Sequence, residues 1–150
     1  MSNRSKDLEE GAEGSNSQLE KHKEQEEQPH KFADGVYEGI CQDTEEQSSS
    51  KGKQTFRDIV FEHCNTSSII LQNVRMGSKG CLALVRLIRN SPVIRVDLAN
   101  NHLGDIGVLP VLGGIKSMAS LKHVNLAGNG IGNDGGANIA VVLNQNNSLW

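Results

Sequence analysis

The second half of the sequence repeats one apolar pattern at a fixed interval. The pattern at Val93, Val96, Leu98, Asn101 and Leu103 recurs at Leu121, Val124, Leu126, Asn129 and Ile131, so that every member moves by 28. A weaker copy, shifted upstream by 27, lies at Thr66, Ile69, Leu71, Val74 and Met76. A period of this length is typical of repeat proteins whose unit is a single small supersecondary element.

Helix-spaced apolar residues follow each copy of this pattern. They are Cys81, Leu84, Val85 and Ile88, then Val108, Val111, Leu112 and Ile115, then Gly136, Ile139, Ala140 and Leu143. The spacing i, i+3, i+4, i+7 predicts one apolar face of a helix. Before each helix a short strand is predicted, with residues such as Val96 and Leu98 pointing inward. Because one repeat cannot bury enough apolar surface to fold alone, the strands should pair in parallel, with the helices opposite.

The turn from strand to helix carries its own recurring residues. Asn101 and Asn129 are expected to hydrogen-bond backbone groups that the turn leaves unpaired. Glycine occupies two columns, where a column is one position of the repeat followed through all three copies. The first column is Gly77, Gly104 and Gly132, and the second is Gly80, Gly107 and Gly135. We attribute these columns to a need for positive φ angles, which glycine tolerates. The turn therefore also explains Gly132 and Gly135 of the segment Gly130-x-Gly132-x-x-Gly135, which in isolation matches a dinucleotide-binding fingerprint. Gly130 alone is an extra glycine, since Arg75 and His102 occupy its position in the other repeats, and we expect no cofactor.

The LxxLxLxxNxL frame, the 28-residue length and the helical return resemble the ribonuclease-inhibitor-like class of leucine-rich repeats over residues 66–150. The resemblance implies an α/β fold, a right-handed solenoid with parallel strands on its concave face and helices on its convex face. Repeats are predicted at 66–92, 93–120 and 121–148. Because a step of 28 from Leu121 reaches Leu149, a fourth repeat is predicted to start there, and we expect a fragment of a longer array. The alternative is that Trp150 covers the last helix.

The segment 1–54 differs sharply in composition from the repeats. It holds seven Lys/Arg and thirteen Asp/Glu, and of the aromatic residues only Phe32 and Tyr37. Such a segment is predicted to be an acidic disordered leader, since it has little apolar surface to bury. The sequence from Thr55 to Asp58 resembles a capping box and predicts a helix over 55–65. Repeat stacks need their first open core covered, so we predict that this helix is an N-terminal cap.

Two prolines bear on the predicted helices. Pro92 follows the first repeat helix closely, as expected for a residue that ends a helix. Pro110 lies beyond the first turn of a helix that would start after Asp105, where proline is poorly tolerated. The second repeat helix is therefore predicted to start late, near Leu109, or to be bent.

Several classes of function are disfavoured by what the sequence lacks. The sequence has three cysteines, Cys41, Cys64 and Cys81, an odd number at wide spacing. This pattern argues for a reducing compartment and against disulfides or a zinc site. No secretory leader and no membrane-spanning segment is visible, and neither half is basic enough to suggest nucleic acid. We therefore expect a cytoplasmic protein without a membrane, nucleic-acid or small-molecule partner.

The outward strand positions are the candidate binding residues, because alternate residues of a strand share one face. They are Ser68, Ile70, Gln72, Arg95, Asp97, Ala99, His123, Asn125 and Ala127. The sheet should place Arg95 beside His123 and Asp97 beside Asn125. Two readings remain open, a polar strip on the concave face that binds a partner and an ordinary solvated face on which Arg95 pairs with Asp97.

The function predicted from these features is a non-enzymatic scaffold that binds a protein partner on the concave face. Arg95, Asp97 and His123 lack a neighbouring nucleophile, and the histidines do not cluster as metal ligands. The family resemblance implies two alternatives, an activator of Ran-type GTPases and the sensing domain of an innate receptor. For an activator, the loop edge at Asn100, His102 and Asp105 would contact the GTPase, although such activators have more repeats and an acidic C-terminal tail.

Overall fold

The repeats form alternating short strands and helices, preceded by two further helices. The computed structural model describes residues 30–146 and 149. Helix α1 covers residues 30–44 and helix α2 spans Ser50–His63. There follow β1 Ser68–Ile70, α3 Ser78–Ile88, β2 Arg95–Asp97, α4 Gly104–Ile115, β3 His123–Asn125 and α5 Asn133–Gln145.

The three strands form one parallel sheet in the order β1-β2-β3. Ile69 pairs with Val96, and Val96 pairs with Val124, so the register follows the repeat period. Helix α3 contacts α4, and α4 contacts α5, which places these helices in a second layer. The arrangement is an α/β repeat fold, as the sequence pattern indicates.

The core lies between the sheet and this helix layer. The inward strand residues Val96 and Leu98 are buried against the helices, with Leu84 of α3 and Val111 of α4 in the same cluster. The corresponding strand residues of the third repeat, beginning with Val124, are only partly buried. Burial therefore decreases toward the β3 side of the described stack.

The prediction that the whole of residues 1–54 is a disordered leader is wrong for the helical residues 30–44 and 50–54. Residues 30–44 are helical, and Ala33, Val36 and Ile40 are buried along one face of α1. This face has helical spacing, but it is short and lies among charged residues, so the average composition of the segment concealed it. Residues 1–29 of the predicted leader lie outside the described residues.

Helix α1 and α2 form an antiparallel pair joined by residues 45–49. The Arg57 guanidinium donates two hydrogen bonds, of 2.8 and 2.7 Å, to the Asp34 carboxylate. The rings of Tyr37 and Phe56 pack with centroids 5.9 Å apart. Helix α2 also contacts β1, so a helix does lie against the first repeat, although it is longer than the one predicted over 55–65.

The predicted capping box at Thr55 is also wrong. Helix α2 begins five residues earlier, where the Ser49 hydroxyl accepts a hydrogen bond of 3.0 Å from the Gly52 N–H. Thr55 lies inside the helix, and its hydroxyl donates to the Lys51 carbonyl. A threonine in mid-helix can bond to the preceding turn in this way, which satisfies its hydroxyl without ending the helix.

Pro110 does not delay the start of α4. The helix begins at Gly104 and contains Pro110 in its interior, so the predicted start near Leu109 is wrong. Proline removes one backbone donor and so leaves the carbonyl of Ile106 without its helical partner. Ile106 is strongly exposed, so water can hydrogen-bond that carbonyl and the helix continues.

Candidate functional site

Two buried asparagines, Asn101 and Asn129, connect the turns of consecutive repeats, and we call them the asparagine ladder. The Asn101 side chain is fully buried. Its Oδ1 accepts hydrogen bonds of 3.0 Å from the Val74 N–H and 3.2 Å from the Met76 N–H. Its Nδ2 donates to the carbonyls of Leu71, Leu98 and Ala99. The expected role of this asparagine in the turn is confirmed.

Asn129 repeats these bonds one unit further along. Its Oδ1 accepts from the Asn101 N–H at 2.9 Å and from the Leu103 N–H at 3.4 Å. Its Nδ2 donates to the Leu98 carbonyl of the preceding repeat at 2.9 Å. In both steps the turn of one repeat donates its N–H groups to an asparagine of the next repeat.

The glycine columns have a different cause from the one predicted. Gly77 and Gly132 have φ angles of −104° and −92°, which any residue adopts. A Cβ on Gly132 would lie 3.1 Å from the Asp105 carboxylate, and one on Gly135 would lie 2.4 Å from it. Among the six glycines of the two predicted columns, only Gly104, with φ +59°, has a positive φ angle.

These close approaches exist because aspartates from a neighbouring element cap two of the repeat helices, α3 and α5. Asp105 Oδ1 accepts hydrogen bonds of 2.7 Å from the Gly132 N–H and 3.0 Å from the Gly135 N–H at the start of α5. Asp43, at the end of α1, accepts from the N–H groups of Gly77, Lys79 and Gly80 at the start of α3. A carboxylate at a helix N-terminus satisfies unpaired donors and opposes the positive end of the helix dipole.

Positive φ angles occur instead at two other columns of the turn. They are Asn73, Asn100 and Gly128, at 57°, 57° and 65°, and Arg75, His102 and Gly130, at 59°, 59° and 64°. Gly130, which seemed an extra glycine in the fingerprint-like motif, is therefore the residue best suited to a left-handed position that all three repeats share. The sequence signal was present, but arginine and histidine in the same column hid it.

The loop edge of Asn100, His102 and Asp105 does not form one exposed group. Asn100 and His102 are exposed, whereas the Asp105 carboxylate is hydrogen-bonded to the start of α5. A partner would have to compete with that cap to contact Asp105.

The remaining candidates lie on the side of the sheet away from the helices, which we call the open sheet face. It consists of Ser68, Ile70, Gln72, Arg95, Asp97, His123 and Asn125. The register places Ser68, Arg95 and His123 side by side, and Ile70, Asp97 and Asn125 in the next row. The predicted neighbours, Arg95 with His123 and Asp97 with Asn125, are confirmed.

Asp97 is the member of this face that differs from expectation, because it is buried rather than open to solvent. It is 1% exposed. Its Oδ1 accepts from the Ala99 N–H and its Oδ2 accepts from Arg95 Nη2, each at 3.2 Å. The amides of Gln72 and Asn125 also hydrogen-bond to this carboxylate. Asp97 thus fixes the Arg95 side chain, about half of which remains exposed.

Burial raises the pKa of Asp97, but hydrogen bonds from Asn125, Ala99, Gln72 and Arg95 outweigh it and hold the pKa below the ordinary value of 3.8. A carboxyl whose pKa falls on folding stabilises the fold above its unfolded pKa, and this stability is lost as the pH falls through the folded pKa. We therefore expect Asp97→Asn to have a lower free energy of unfolding than the wild type at pH 7. This difference in unfolding free energy should become smaller below pH 3.8. Urea denaturation at pH 7 and in this acidic range measures both differences.

The matched control for this titration is Asp58→Asn, a change at an exposed carboxylate on α2. Its stability should stay close to that of the wild type under both conditions. A difference for Asp97→Asn that is equally large in acid would show that the ionised carboxylate does not provide the stability.

The described residues offer few other chemical groups of interest. They contain no cluster of three or more His, Cys, Asp or Glu side chains that could hold a metal ion. Cys41 and Cys81 are buried free thiols, and burial raises the pKa of Cys81 to about 12. Of the helices described, none has the length and apolarity needed to cross a bilayer.

Comparison with known proteins agrees with the period of the fold. Residues 89–112 and 117–140 each match a family model described as Leucine Rich repeat. The starts of the two matches, at 89 and 117, differ by 28, which is also the step of the apolar pattern. No curated protein sequence matches the chain. Residues 89–140 therefore contain two leucine-rich repeats.

Proposed function

We propose that the protein is a non-enzymatic scaffold that binds a protein partner on the open sheet face. Leucine-rich repeats commonly mediate protein–protein interaction. In this proposal the stack is a right-handed solenoid of the ribonuclease-inhibitor-like type, and the open sheet face is its concave side. The three free cysteines favour a reducing compartment, and we place the protein in the cytoplasm.

The observation that carries the proposal is the way Asp97 holds Arg95. A buried carboxylate with four hydrogen-bonding partners lies directly beneath a half-exposed guanidinium. The side chain is therefore held in place before binding, and a partner loses less conformational entropy when it contacts such a group. Arginine is also enriched among the residues that dominate binding energy in protein interfaces.

The test is a pair of arginine truncations. Arg95→Ala removes the guanidinium from the open sheet face, and Arg86→Ala removes an equally charged, exposed side chain from α3 in the helix layer. Proteins captured from a cell extract by immobilised wild type, and quantified by mass spectrometry, should be retained by Arg86→Ala. They should be lost from Arg95→Ala by tenfold or more, since a central arginine contributes about 2 kcal/mol or more.

Two results would contradict the proposal. One is a set of partners that bind the wild type and Arg95→Ala equally well. The other is equal loss from both variants, which would indicate binding through general positive charge rather than through the sheet face.

A further inference from the structure

A cleft of about 430 Å³ lies between the α1–α2 pair and the turn that follows β1. We call it the N-terminal cleft, and the side chains that matter to its chemistry are Tyr37, Ile40, Lys51, Phe56, Ile59 and Val74. Every residue that lines it lies between Tyr37 and Arg75, within the described part of the chain. A volume of this size is typical of a small-molecule site.

A change in the repeat pattern explains why this cleft is open. At the two later turns the corresponding residue is Asn101 or Asn129, whose side chain hydrogen-bonds to the turn of the preceding repeat. The first repeat has Val74 at this position, which can form no such bonds to the α1–α2 pair. Val74 is half-buried and lines the cleft instead, so the first turn presents an apolar surface to the helix pair.

The floor of the N-terminal cleft is apolar. Ile40 and Phe56 are buried members of the core cluster. Tyr37, Ile59 and Val74 pack against that cluster but remain partly exposed. Covering this surface with the apolar part of a ligand removes it from water, which favours binding.

Most polar side chains along the cleft already have partners within the chain. The hydroxyls of Thr44 and Thr55 donate to backbone carbonyls of α1 and α2. The Ser49 hydroxyl accepts from the start of α2, and the Arg75 guanidinium donates to the Glu46 carboxylate at 2.6 Å. These groups therefore need no ligand to satisfy them.

Lys51 is the charged residue of the lining that differs. It is exposed on α2, and within residues 30–146 its ammonium group takes part in no ion pair. Because Glu46 is paired with Arg75, the charge left at the cleft is positive. An apolar floor beside an ammonium group is complementary to a ligand that carries an apolar body and one carboxylate.

We propose that the N-terminal cleft binds a small monocarboxylate with an apolar body. The apolar body lies on Phe56, Ile59 and Val74, and the carboxylate pairs with Lys51. The site uses no residue of the open sheet face and does not depend on the partner proposed for that face. The repeat pattern does not predict such a ligand, because the cleft joins segments that are distant in the sequence.

Phenylbutyrate and its neutral counterpart phenylbutanol test the proposal in NMR chemical-shift titrations of the full chain. Phenylbutyrate should shift the amides near Lys51 and Val74, with a Kd of about 1 mM, as expected for so small a ligand. Lys51→Glu should weaken phenylbutyrate binding about fivefold, because attraction becomes repulsion, and should leave phenylbutanol binding unchanged. Val74→Asn should weaken both probes about fivefold, since it places an amide in the apolar floor.

The matched control is Lys116→Glu, at an exposed lysine at the end of α4. It should bind both probes as the wild type does, and the spectra show whether each variant is folded. The proposal is overturned by amide shifts that are absent or spread over the whole surface, or by equal weakening in Lys51→Glu and Lys116→Glu. It is also overturned if Lys51→Glu weakens phenylbutanol as much as phenylbutyrate, or if Val74→Asn binds both probes as the wild type does.

Discussion

Replacing Asn101 by alanine should lower the free energy of unfolding by about 3–4 kcal/mol, because each buried polar group left without a partner costs about 1–3 kcal/mol. The substitution removes both acceptor bonds to the Val74 and Met76 N–H groups and the donor bonds to three carbonyls. Asn101 is fully buried, so water cannot readily replace these bonds. Urea denaturation followed by circular dichroism measures the loss.

The control is Asn144→Ala, at an exposed position of α5. Its effect should stay within about 0.5 kcal/mol, as is usual for surface substitutions. A loss for Asn101→Ala as small as that of the control would mean that the turns do not depend on the asparagine ladder.

Replacing Gly39 by alanine should lower the free energy of unfolding by about 3 kcal/mol, a value typical of overpacked positions. A Cβ on Gly39 would lie 2.7 Å from the Cα and 2.9 Å from the nitrogen of Gly80. These are backbone atoms, so no side chain can turn aside and α1 would have to move away from α3. That movement would also weaken the Asp43 bonds at the start of α3, the second reason to expect a large loss.

Gly35→Ala supplies a control of opposite sign on the same helix. Its added Cβ would have ordinary van der Waals contact with Leu87 Cδ1, at 3.6 Å. Since alanine is the better helix former, this variant should gain about 0.5–1 kcal/mol. The same urea denaturation measures both variants. If both alanines stabilise the protein, α1 does not pack against α3 as described.

The repeat architecture was predictable because its signal is redundant. Each strand and helix position occurs in two or three repeats. A single substitution, such as Val74 in place of asparagine, therefore does not obscure the period. The strand register and the neighbours of Arg95 follow from that period, and the structure confirms them.

Features that occur once were not predictable in the same way. Helix α1 has no second copy in the sequence, and its apolar face is interrupted by residues such as Asp34 and Glu38. The Asp43 cap joins residues that lie 34 or more positions apart, and no local pattern announces such a contact. The glycine columns were found from the sequence, but the close approaches at Gly77, Gly80, Gly132 and Gly135 depend on the Asp43 and Asp105 carboxylates.

The burial of Asp97 is a third case. The alternation of residues along β2 correctly predicts that Asp97 lies on the open sheet face. Membership of that face alone, however, suggests an exposed side chain, and Asp97 is buried. Its burial depends on the side chains of Gln72, two residues after β1, Arg95 of β2 and Asn125 of β3, which hydrogen-bond to the carboxylate. Pairwise reasoning about Arg95 and Asp97 could not include these neighbours.

The central claim is that the turns of the first two repeats each donate N–H groups to an asparagine of the next repeat. Amide hydrogen exchange measured by NMR tests it most directly, at Val74, Met76, Asn101 and Leu103. The account predicts that these four loop amides exchange slowly, at rates close to those of amides in the core helices. Exchange of these amides as fast as in an unstructured peptide would contradict it.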